Sequence, residues 1–150
     1  MNINFTWVKE KALNEIDIFA NPENKPRLLY LEKHLNQEQE ILVIDPKNNR
    51  SVKLPLHQIE SFETMGHLVK VNLLNQQNYL MQKRLKELIN LEKENFYRIN
   101  NSQILNLSSI QSFQLGEHAR LEVQTKTDTT YVVSRHYAKN IKERLSCSNN

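Results

Sequence analysis

Five histidines, one cysteine and a short segment where histidines alternate with carboxylates are the places where this chain could do chemistry. His57, Glu60, Glu63 and His67 fall within one short span, and imidazole with carboxylate is a donor set that divalent metals accept. The span reads as strand and turn, however, so no fixed face gathers the four. None of His34, His57, His67, His118 and His136 forms a tight pair at zinc-site spacing. Cys147 lies near the chain end without a setting that favours thiolate, which leaves nucleophilic chemistry without an anchor. The two glycines, Gly66 and Gly116, build no phosphate-cradling loop. No cofactor and no catalytic centre are expected, and a metal-dependent enzyme is the weakest reading.

What remains is cationic and unevenly placed. Residues 1–40 carry five Lys/Arg against seven Asp/Glu, and residues 41–150 carry fifteen against ten. Any polyanion contact therefore belongs to the C-terminal two-thirds. The last amphipathic stretch, SRHYAKNIKERL, concentrates the charge. Ser134 is a suitable N-cap, Tyr137, Ile141 and Leu145 recur every four residues, and Arg135, His136, Lys139, Lys142 and Arg144 occupy the other face.

The elements that must position these groups are mostly strands. With 150 residues, 39% hydrophobic and 25% charged, the chain suits one ordinary globular domain with a small appendage. No run approaches the roughly 20 apolar residues of a spanning helix, and MNINFTWVKEK lacks the layout of a signal peptide. A single cysteine excludes an intrachain disulfide and fits a reducing cytoplasm. INFTW and EIDIFA alternate with period two and predict two short strands. Asn21-Pro22 then opens a helix, with a stripe of Leu28, Leu31 and Leu35, and Leu29 beside it. ILVI, RSVKLPL, HLVKVNLL, ILNL, LEVQT and TYVVS follow as strands, with asparagines supplying left-handed turn positions in place of glycine. A helix over MQKRLKELIN is predicted to bury Leu85, Leu88 and Ile89. About forty residues of β pattern separate it from the last helix, which excludes a helix-turn-helix.

From Phe96 onward, FYRINNSQILNLSSIQSF and then TYVVSRHYAKNIKERL closely resemble the LytTR-type DNA-binding domain of bacterial response regulators. Phe96, Arg98, Ile99 and Ser102 match one motif of that family. Ile104, Leu105, Asn106, Leu107 and Ile110 match a second, and Val133, Ser134, Arg135 and Tyr137 a third. LPLHQIESFETMGHLVKVNL resembles its strand-turn-strand with an Ile-x-x-x-Glu signature, and RLKEL its connecting helix. Five motifs in unbroken order over about residues 41–147 make the resemblance specific.

The resemblance implies a mainly β domain, α+β overall, over residues 41–147, preceded by a ββα segment over 1–40 and followed by a frayed tail at 148–150. It implies a sequence-specific transcriptional regulator whose loops enter successive major grooves of direct-repeat sites. His67, Asn101 and the Arg135-His136 step are then the base readers, while Asn100, Ser102, Tyr137 and Lys139 hold phosphates. Asn suits adenine and Arg guanine, each by two hydrogen bonds; a histidine reads less sharply. Asn106 is assigned to structure. Double-stranded DNA is the implied partner, with a homodimer through the 1–40 segment and a small membrane protein as a further partner. Two departures stand out: KTDTT lacks the glycine usual in the last hairpin, and the residues ahead of the match are too few for a receiver domain. The alternative to regulation is a β-rich protein-interaction module that keeps the fold and has lost DNA binding.

Overall fold

Period-two alternation becomes sheet wherever a second layer is available to cover one face. The computed structural model describes residues 1–13, 15–36 and 39–147, with backbone alone at 34 and 36; the tail expected over 148–150 lies outside them. The chain divides into two units, Met1–Gln37 and Glu38–Asn150.

In the first unit, Asn21 caps a short 3₁₀ turn at Pro22–Asn24, its Oδ1 accepting from the Glu23 N–H at 3.0 Å, and α1 (Lys25–Asn36) follows. Helix start and cap are as the sequence predicts. The two strands expected at 3–7 and 15–20 are absent: those residues enter no ladder. Phe5 stacks on Trp7 at 6.0 Å, and Lys11 bridges Glu15 and Asp17 across a turn. Two short strands with neither a third strand nor a covering layer are at best marginal. No residue of this unit is buried among those described, and Leu31 and Leu35 of the expected stripe are exposed.

Among the described residues the second unit holds ten strands. These are β1 (Glu40–Ile44), β2 (Ser51–Pro55), β3 (Ile59–Met65), β4 (Leu68–Leu73), β5 (Asn78–Met81), β6 (Phe96–Asn100), β7 (Gln103–Asn106), β8 (Ile110–Leu115), β9 (Leu121–Thr125) and β10 (Thr130–Val133). The helix α2 (Arg135–Cys147) ends it. A seven-stranded antiparallel sheet runs β2-β1-β5-β4-β3-β7-β6, and a three-stranded one β10-β9-β8. The turns use non-glycine residues in left-handed geometry, Asn49 at φ 62° and Asp128 at φ 61° among them. Short polar side chains tolerate that region best. Asp128 thus fills the place where a hairpin glycine was missing.

Strands β3, β7 and β6 form a wall between two cores. On one side Phe62, Phe96 and Ile104 pack with Leu85, Leu88 and Leu91; on the other Tyr97, Ile99 and Leu105 meet Val123, Tyr131 and Ile141. The segment Leu85–Glu94 is a 3₁₀ helix, so its buried face repeats every three residues and takes Leu91. Ile89, assigned to that face under α-helical spacing, is exposed instead. In α2 the buried residues are Ala138, Ile141 and Leu145, with Tyr137 at the margin. Arg144 leaves the basic face and stacks over the Tyr97 ring, 4.2 Å from its centroid. Asn106 is structural, donating to the Ile59 carbonyl at 2.9 Å and accepting from the Ser108 N–H at 3.0 Å.

Candidate nucleic-acid interface

Three connections meet at one end of the wall. The β3–β4 hairpin turns on two residues, Gly66 at φ 62° and then His67, and closes with Met65 opposite Leu68. Positive φ at the first loop position is what a tight hairpin with leading glycine requires. The β6–β7 turn carries Asn101 and Ser102, and Ser134 opens α2 with its carbonyl accepting from the Tyr137 and Ala138 N–H groups. Because β3 and β7 are antiparallel neighbours with Glu63 opposite Gln103, the first two turns lie side by side. The Thr64 N–H and hydroxyl both donate to the Ser102 carbonyl at 2.9 Å. The Ser134 N–H donates to the Ile99 carbonyl at 2.8 Å and brings the helix start to the same end.

The middle turn is held rigidly. Arg98 donates to the carbonyls of Asn100 and Asn101, at 3.2 and 2.7 Å. Asn100 uses its whole amide: Nδ2 donates to Gln103 Oε1 and the Val132 carbonyl, and Oδ1 accepts from the Ser102 N–H and hydroxyl. Asn100 and Ser102 are the two turn residues that the sequence assigns to phosphate. Their donors are engaged within the protein, and these two residues shape the turn that presents Asn101.

Asn101, Ser134, Arg135 and His136 line one open cleft of 570 Å³. Two residues that sequence reasoning missed complete it, His118 and Arg120. They sit on the β8–β9 connection just after Gly116, where His118 and Ala119 take φ of 57° and 60°. Gly116 is one of the chain's two glycines, but what this connection faces could not be read from the sequence. His67 lies outside the cleft, exposed on the neighbouring hairpin.

Charge and exposure agree with the geometry. His67, Asn101, Arg120, Arg135, His136 and Lys139 are exposed, and among the described residues none of Arg120, Arg135 and Lys139 enters an ion pair. Tyr137 is half-buried, its ring edge-on to His136 at 4.7 Å. Unpaired guanidinium groups around an open polar cleft suit phosphate or guanine edges. Among the described residues no cluster of His, Cys, Asp or Glu could hold a metal ion, and Glu60, one of the four weighed as ligands, points into the interior. No helix there is long and apolar enough to cross a membrane.

Comparison with known proteins fits this picture. Among solved structures, a LytTr DNA-binding domain from Bacillus cereus superposes with a TM-score of 0.64 at 18% identity, covering 73% of this chain and 98% of that one. No curated protein matches the chain. Residues 49–146 match the family described as the LytTr DNA-binding domain, a DNA-binding and not a catalytic family. The chain belongs to the LytTr DNA-binding domain family.

Proposed function

We propose that this DNA-binding domain serves a sequence-specific transcriptional regulator of the cytoplasm, whose connections enter successive major grooves of direct-repeat sites. His67, Asn101, Arg135 and His136 read bases in this scheme, and Tyr137, Lys139, His118 and Arg120 seat phosphates. Its chief support is the cleft, where Asn101 and His136 stand together with the guanidinium groups of Arg120 and Arg135, neither of them in an ion pair among the described residues. Fluorescence polarisation on genomic fragments, repeated across salt concentrations, tests it. Asn101→Ala should weaken specific binding by about 1–3 kcal/mol and relax preference at one base pair. Arg120→Ala should weaken all sequences alike and lower the salt slope by about one. Equal binding of every sequence by parent and Asn101→Ala would remove Asn101 from the readers.

The first unit is proposed to pair two copies of the chain. Its exposed Phe5, Trp7, Ile16, Ile18, Leu31 and Leu35, without one buried residue among those described, support that role. Linked domains would gain affinity on repeated sites because the second contact becomes intramolecular. Light scattering of the chain with and without residues 1–37 separates the cases: a dimer that becomes a monomer supports pairing. A chain that is monomeric at full length, yet is retained by a small membrane protein, would give this surface to that partner.

A further inference from the structure

The Glu60 carboxyl group lies buried between the two cores, in no ion pair among the described residues. Glu60 is 3% exposed and occupies a β-bulge, where the β3–β4 register jumps from Ile59 opposite Leu73 to Ser61 opposite Asn72. The extra residue turns Glu60 away from the ladder and towards the three-stranded sheet. There Oε2 accepts from the Tyr131 hydroxyl at 2.9 Å, and Oε1 from the Thr127 hydroxyl at 2.7 Å. Tyr131 also meets Ser61 Oγ at 3.0 Å, and Ser61 accepts from Asn72 Nδ2 at 3.0 Å. One polar chain thus crosses from β4 through β3 to β10 and the β9–β10 turn. Burial, with Glu60 alongside, pushes the Tyr131 phenol up and keeps it a donor.

Such a network is a costly way to gain stability, since apolar residues of similar size fill buried sites as well or better. What it supplies is direction: hydrogen bonds fix distance and angle, whereas greasy faces slide. The elements it joins carry different reading connections. Glu60 stands seven positions before His67 along β3 and its hairpin, and Tyr131 three before Ser134 along β10. Asn100 pins the middle turn to the same β10 through the Val132 carbonyl at 3.1 Å.

We infer that Glu60 is a positioning residue that, through Tyr131 and Thr127, sets the base-pair spacing between the block read by His67 and the block read at Arg135-His136. This rests on the reading roles proposed above. Selection of bound duplexes from a random library tests it, comparing the full-length chain with Glu60→Gln and Tyr131→Phe. The parent should favour one spacing between its outer blocks over neighbours one base pair longer or shorter by about tenfold, a typical mismatch penalty. In the variants that preference should shrink to about threefold or shift, with base identities inside each block and the salt slope unchanged. Thr127→Val removes one of the two bonds and carries the comparison if either other variant fails to fold. An unchanged spacing profile with uniformly weaker binding would overturn the inference and leave the readers in place. A parent that selects no motif would remove the reading roles and this inference together.

Discussion

Residues 1–36 and residues 39–147 are written in the same apolar grammar and end differently. Ile3, Phe5 and Trp7 alternate as cleanly as Val69, Val71 and Leu73, yet the first three are exposed and the last three buried. In the larger unit every strand pairs with at least one other, and the buried face of β4 shares a core with the 3₁₀ segment's leucines. In the smaller unit no ladder forms among the described residues. Alternation specifies which side seeks cover; a partner layer decides whether it finds any.

Substitutions can break this contrast. Ile141→Ala, in the core beneath α2, should lower unfolding stability by about 2–5 kcal/mol in a denaturant titration. Trp7→Ala should change the same titration by less than about 0.5 kcal/mol in the monomeric range. A larger loss there would show that the segment is covered within its own chain. Gly66→Ala sharpens a different point. Its added methyl meets nothing within 4 Å, so the penalty is conformational alone, about 1–2 kcal/mol for left-handed backbone. Thermal unfolding measures it. A further effect is a pH dependence. Tyr131 holds its proton more tightly folded than unfolded, chiefly through burial, so its contribution is complete below about pH 10, where an unfolded tyrosine ionises, and declines above it. Tyr131→Phe should flatten that alkaline decline in denaturant titrations.

Much of the larger unit was legible because its signals are local. Leu121 and Val123 facing Tyr131 and Val133 follow from period two, and the register pairs Tyr131 with Val123 and Val133 with Leu121. The Asn21 cap, the Asn49 turn and the start of α2 were equally plain. Ile89 misled because the pattern alone does not separate a three-residue from a 3.6-residue repeat; Leu91 would have decided it. Strand β5 went unpredicted because NYLM is short and only its last residue is buried. For the site, the sequence named Asn101, Arg135 and His136, which share the cleft, and His67 on the adjacent turn. It could not reveal Arg120 and His118, because their relevance depends on a long-range approach of the β8–β9 connection. It could not show that both ends of the Asn100 amide are engaged within the turn, because those partners are set by the fold. Glu60 was legible as a polar residue in a strand but not as a buried link between sheets.

The central claim is that separate connections of one domain read separate stretches of one site. Motif selection with His67→Ala, Asn101→Ala and Arg135→Ala in parallel tests it most directly. Each variant should lose preference at its own base pairs, with those of Asn101 and Arg135 adjoining and those of His67 displaced to one side. Three variants that weaken binding at every sequence, with base preferences intact, would contradict it.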